Sequence, residues 1–209
     1  MANPLRDRLK QAYDRGAEER DHRVLPQWKI DERSRFLKHL QKDRLVRLLE
    51  VGAGVGRDGR FFADRGYEVV CIDLSPEMVR RCWEKGLDAA VMDVAQLALE
   101  DASFDAVYAF NSLLHLHKTE LPAVLLEIRR VLRPGGLFYF GTYGGFDHEG
   151  IFEEDDHSPL RFFSFYEEGH LKRVVGEVFD ILEFRSLVTP GDTSQIRFQS
   201  MLLQRPVVA

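Results

Sequence analysis

A run of apolar residues that closes on alternate glycines leaves a chain few ways to fold. In Leu48-Leu49-Glu50-Val51-Gly52-Ala53-Gly54-Val55-Gly56-Arg57 the apolar stretch reads as a buried strand, and the glycines allow a sharp turn and close approach of backbone to a ligand. The segment that follows, as far as Phe62, reads as a helix whose free N–H groups open at the same turn. Strand, glycine turn and helix in that order make a βα unit, and the rest of the chain repeats the alternation.

RLVRLLEVG (44–52) and YEVVCIDL (67–74) are the first two predicted strands, followed by Asp88 to Met92, Phe104 to Phe110 and LFYFGTY (137–143). Ser75 is placed to cap a helix that has Pro76 at its first position, an apolar face of Met78, Val79, Cys82 and Trp83, and Gly86 as its stop. Leu121, Val124, Leu125, Ile128, Val131 and Leu132 mark another helix, with Pro134, Gly135 and Gly136 expected to end it. Two helical patterns precede the first strand. One carries Leu5, Leu9, Ala12 and Tyr13 and is expected to lie over a cleft; the other runs from Pro26 to Lys42 and carries Trp28, Phe36 and Leu40. Gly144 to Pro159, rich in Gly, Asp and His, is too long for a tight connection and reads as a functional loop. VFDILEFRSLV and IRFQSMLLQ, joined by TPGDTSQ with no helix between them, must pair antiparallel. These elements predict a single domain over 1–209, with a helical cap (1–42), a ligand-binding core (43–143), a substrate-side loop (144–165), and a helix plus terminal hairpin (166–209).

Charge narrows the partners. Lys and Arg number 29 against 34 Asp and Glu, a net charge of -5, so a nucleic-acid partner is not expected. No apolar run approaches the roughly 20 residues of a membrane span, and MANPLRDRLKQAYDRG has no signal-peptide core. The expectation is a cytoplasmic protein with no membrane partner, monomeric or homodimeric. Cys71 and Cys82 lie in apolar or helical patterns and read as small buried hydrophobes.

The glycines fit two ligands. Gly54, Gly56 and Gly59 satisfy G-x-G-x-x-G, and Asp73 follows at the spacing a dinucleotide site needs for its ribose. Glu50, two residues before Gly52, would repel a pyrophosphate and attract an amino group, which favours the aminoacyl end of S-adenosyl-L-methionine. LLEVGAGVGRDGRFF, VVCIDLSPEMV, VMDVAQLAL, FDAVYAFNSLLHL and RVLRPGGLFYF, in this order over about residues 45–143, resemble the motifs of the class I S-adenosylmethionine-dependent methyltransferases. The similarity is to the small-molecule group related to the ubiquinone and menaquinone enzymes. It implies an α/β, Rossmann-like seven-stranded sheet, mostly parallel with a C-terminal antiparallel hairpin, helices on both faces and extra N-terminal helices.

The resemblance implies that Glu50, Gly52 and Gly54 face the methionine portion of the cofactor and that Asp73 accepts both ribose hydroxyls. It also implies that Leu74 and Met78 pack on the adenine, that Met92 and Asp93 stand at the end of strand three with Asp93 on the adenine amino group, and that Asn111 lies near the methionine. His115, just beyond strand four, is the candidate general base or a substrate-lining residue, whereas His117 reads as a surface residue. Tyr13, Trp28, Tyr143, Arg161 and Phe162 are expected on the substrate side. The loop residues Asp147, His148, Glu153, Asp155, Asp156 and His157 show no compact ligand spacing, and no metal is expected. The activity implied is methyl transfer to a small-molecule acceptor by direct in-line displacement. A cofactor-binding regulatory protein without catalysis and an NAD-dependent oxidoreductase are the alternatives.

Overall fold

The computed structural model describes residues 4–189 and 195–207, so most of the turn of the terminal hairpin lies outside the described residues. In chain order the elements are α1 (Pro4–His22), α2 (Gln27–Lys42), β1 (Arg47–Val51), α3 (Arg57–Ala63), β2 (Glu68–Asp73), α4 (Pro76–Glu84), β3 (Asp88–Val91) and β4 (Phe104–Phe110). A single 3-10 turn (Leu113–His115) then leads to α5 (Leu121–Val131), β5 (Leu132–Gly144), β6 (His148–Ile151), β7 (Phe162–Phe165), α6 (Glu168–Gly176), β8 (Asp180–Leu187) and β9 (Arg197–Gln204). Seven strands form one sheet in the order β3-β2-β1-β4-β5-β9-β8. The first five pair in parallel, and β9 enters antiparallel between β5 and β8. The seven-stranded, mostly parallel sheet with its antiparallel terminal hairpin is therefore the observed architecture. No described helix is long and apolar enough to cross a membrane.

Helices cover both faces of the central strands, and the two-residue strand period sorts their side chains. Leu48 and Tyr108 pack with Phe36 and Leu40 of α2, Phe62 of α3 and Cys82 of α4. Their neighbours Leu49, Val51 and Val107 pack on the opposite face with Leu125 and Ile128 of α5 and Val175 of α6. Tyr108 stacks on Phe36 at 5.5 Å and on Tyr139 at 5.0 Å, which fixes α2 against β4 and β5.

Two local readings are corrected. α5 stops at Val131 rather than at Pro134 to Gly136, because Leu132 already has an extended backbone and Arg133, preceding a proline, is biased away from helix. Gly136 then sits where a Cβ would come within 2.9 Å of the Asp105 carbonyl, so the glycines serve the entry of β5 beside β4. The expected loop over 144–159 contains a strand: β6 pairs antiparallel with β7, whose four residues are all buried.

Strand order reverses between β1 and β4, since the chain runs outward through β2 and β3 and then returns to the other side of β1. In open α/β sheets such a reversal leaves a crevice at the carboxyl ends of the two strands. The site follows from that topology.

Candidate functional site

A cavity of about 480 Å³ opens at the carboxyl ends of β1, β2, β3 and β4, with Leu5, Leu9 and Tyr13 of α1 lining its outer side. The volume suits a ligand of nucleoside size. The first predicted helix thus does lie over a cleft. Polar contacts hold it there: Asp14 Oδ1 accepts from Ser75 Oγ at 2.5 Å, and Arg57 donates to the carbonyls of Arg20 and Asp21 at 2.6 and 2.7 Å.

The glycine turn builds one wall. Gly52 has φ +69°, and a Cβ there would stand 2.3 Å from that of Ser112, so the turn and the segment after β4 interlock only with glycine. Gly54 has φ +55° and open space where its Cβ would be. Its N–H donates to Asp73 Oδ2 at 2.8 Å, while Ser75 N–H donates to Asp73 Oδ1 at 2.9 Å. Asp73 is therefore held at both oxygens and keeps a lone pair on each for a ligand. Burial raises its pKa, opposed by those N–H groups. Asp93 accepts from Ala95 N–H at 2.9 Å and from Arg6 Nε at 2.6 Å. Leu74 and Met92 line the cavity. Met78 does not; it is fully buried beneath α1 against Ala17 and Val55, because the Ser75 cap, whose Oγ accepts from Met78 N–H, turns this residue inward.

Asn111 has φ 54° and donates its N–H to the Gly141 carbonyl at 2.8 Å. Its Oδ1 and the Oγ of Ser112 are buried without a hydrogen-bond partner. Both residues line the cavity.

Glu50 behaves differently from the charged lure its position suggested. It forms part of the cavity wall, yet its carboxyl accepts from Cys71 Sγ at 3.3 Å and from the N–H of Gly59, whose Cβ would come within 2.6 Å of Oε2. Burial raises the Glu50 pKa well above the ordinary value and nearby Asp58 adds to this, so the neutral acid is favoured.

His115 lines the cavity, and its hydrogen bonds fix its tautomer. Nδ1 lies 2.8 Å from the Phe162 carbonyl, which only accepts, so Nδ1 carries the proton and Nε2 accepts from Tyr13 Oη at 2.7 Å. Arg161 donates to Tyr13 Oη at 3.1 Å and pairs with Asp155. Burial pushes His115 down to about 3, against the Phe162 hydrogen bond and with help from Arg161. Of the five residues expected on the substrate side, Tyr13 alone lines the cavity. Trp28 and Tyr143 pack behind it on Phe198, at 4.8 and 5.6 Å, while Arg161 and Phe162 act through Tyr13 and His115. His117 faces Glu149 at 3.0 Å. Asp155, Asp156 and His157 lie together, with Asp155 engaged by Arg161.

Sequence reasoning missed Arg6, Lys29, Arg57 and Ser112, all on the cavity wall. Arg6 adjoins Leu5 on the apolar stripe of α1, a usable signal. Lys29 had none, because the face that α2 turns to the cavity is set by distant Phe36 and Leu40.

Comparison with known proteins gives a consistent picture. A family model described as a methyltransferase domain matches residues 49–140. The chain is 32% identical over 156 residues to a malonyl-[acyl-carrier protein] O-methyltransferase of Geobacter sulfurreducens, covering 71% of this chain and 56% of that protein. It is 35% identical over 104 residues to a ubiquinone biosynthesis O-methyltransferase of Xanthomonas oryzae, covering 46% and 43%. The chain spans about half the length of the curated relatives it matches. Among solved structures, 1,6-didemethyltoxoflavin-N1-methyltransferase of Burkholderia thailandensis, with S-adenosylhomocysteine bound, superposes with a TM-score of 0.77 at 20% identity, covering 99% of this chain and 92% of that one.

Proposed function

We propose that the chain is a class I S-adenosylmethionine-dependent methyltransferase, as its similarity to a methyltransferase-domain model and to named methyltransferases supports, and that it transfers the methyl group of S-adenosylmethionine to a small-molecule acceptor. The observation that carries this reading is the pair of unpartnered buried oxygens, Asn111 Oδ1 and Ser112 Oγ, on two cavity-lining residues, of which Ser112 packs against Gly52. Such oxygens require a donor, and an ammonium group supplies one. The carboxylates of Asp73 and Asp93, one strand and two strands away from the glycine turn, suit ribose hydroxyls and an adenine amino group. A pyrophosphate offers no donor to Asn111 Oδ1 or Ser112 Oγ, which disfavours the dinucleotide alternative.

In this proposal Gly52, Gly54 and Asn111 hold the methionine end, Asp73 the ribose, and Asp93 with Leu74 and Met92 the adenine. Bound S-adenosylmethionine supplies a methyl group already activated on a sulfonium, so the protein's work is alignment of the nucleophile and exclusion of water. α1 covers the cavity and serves both ends. His115 has no free ring nitrogen and a strongly depressed pKa, which supports a substrate-lining and Tyr13-positioning role over that of a direct base. The similarity to O-methyltransferases of malonyl-[acyl-carrier protein] and of ubiquinone biosynthesis supports an acceptor of small-molecule or acyl type.

Calorimetry with S-adenosylhomocysteine tests the reading. Binding is expected for the native protein, and Asp73→Ala should weaken it about 100-fold, as the loss of roughly 3 kcal/mol of charge-assisted bonds implies. No heat with the native protein would overturn the proposal.

A further inference from the structure

The cavity holds several cations, and all but one have work. Arg57 donates to the carbonyls of Arg20 and Asp21, Arg6 pairs with Asp93 and Glu120, and Arg23 lies 3.6 Å from Asp156. Arg20 reaches His157 and lies over the Tyr13 ring at 5.0 Å. The Lys29 ammonium has no hydrogen bond or ion pair among the described residues, although the residue lines the same cavity. Its Nζ stands 5.4 Å from the Trp28 ring centre and 5.7 Å from that of Phe110. Of these rings Phe110 lines the cavity, backed by Trp28, Phe198 and Tyr143, away from the acids at the ends of β2 and β3.

We propose that Lys29 receives a carboxylate of the acceptor, so that the enzyme's substrate is an organic acid whose flat or apolar part lies against Phe110. This rests on the methyltransferase reading of the cavity. A desolvated ammonium that faces aromatic rings and has no ion pair is costly, and an anion bound there recovers that cost. Burial pushes Lys29 down to about 8, Arg20, Arg23 and Arg57 act in the same direction, and Asp58 opposes them. The amine is thus still mostly protonated at neutral pH, and a bound anion must raise its titration midpoint. The other carboxylate in play belongs to the methionine end of the cofactor. Arg57, the residue directly after the glycine turn, also lies on the cavity wall.

The test labels the lysines of the full chain by reductive methylation with carbon-13, assigns Lys29 by its loss in Lys29→Met, and follows its titration by NMR with S-adenosylhomocysteine present. Benzoate is expected to raise the Lys29 midpoint by about one pH unit, equivalent to about tenfold coupling, while the neutral benzamide leaves it in place. Benzoate affinity should fall at least about tenfold in Lys29→Met, with S-adenosylhomocysteine binding unchanged and partial recovery in Lys29→Arg. A midpoint indifferent to benzoate overturns the proposal. So does a rise caused by S-adenosylhomocysteine alone and not by 5′-methylthioadenosine, which lacks the amino-acid end, because the cofactor's own carboxylate would then occupy Lys29. Failure of the methyltransferase reading is distinguishable: it appears as no calorimetric heat with S-adenosylhomocysteine, and benzoate titration of the protein alone still decides Lys29.

Discussion

Two buried titratable residues carry opposite pH signatures. Glu50 has its pKa raised by burial and by Asp58, so the folded state resists its ionisation while the unfolded state does not. The stability it contributes is complete below the ordinary glutamate range and is lost as pH rises through the raised value. Glu50→Gln should therefore increase the melting temperature at neutral pH, with no gain near pH 4, and thermal scans against pH check both halves. His115 is the reverse case. Its folded pKa is depressed to about 3, so its contribution is present above the ordinary histidine value and drains away as pH falls from there. Part of the acid slope of the melting temperature between about pH 6.5 and 4 should disappear in His115→Gln. The same depression predicts a kcat/KM profile with no inflection from His115 between about pH 5 and 8.

At the scale of elements, α1 is attached to the core mainly through polar contacts, since Ala12 and Ala17 are its buried residues. Arg6–Asp93 at 2.6 Å and Lys85–Asp21 at 2.8 Å are partly exposed pairs, screened by salt. Arg6→Ala should speed tryptic cleavage within α1 by about 1.4- to fivefold, the range that a pair worth ~0.2–1 kcal/mol allows, and added salt should do the same to the native protein. S-adenosylhomocysteine should slow cleavage in both, because a ligand that binds beneath α1 stabilises its closed position. The helix was legible as a cover from the Leu5, Leu9 and Tyr13 stripe. Its ties were not, because Arg6 and Asp93 are distant in sequence and meet only when α1 lies across the end of β3.

For the whole molecule, the sheet and the two helical layers stand or fall together. Leu125 is fully buried between α5 and the sheet, and Leu125→Ala should cost about 2–5 kcal/mol. Each kcal/mol corresponds to about 2–4 °C of melting temperature in a chain of this size, so differential scanning calorimetry reads it directly. The sequence alone determined the strands of the seven-stranded sheet, the capped helix at Ser75, the glycine turn and the acids that follow it, because each is written in local periodicity or in a residue's own backbone freedom. It also implied the antiparallel entry of the last strand, since no helix pattern separates the final two. Tertiary structure alone decided which side chains meet across elements: Met78 turned inward, Glu50 drawn under α3, Trp28 and Tyr143 behind the wall, and Lys29 before it. Those outcomes depend on how α1 and α2 pack on the sheet, and packing joins residues that no spacing along the chain relates.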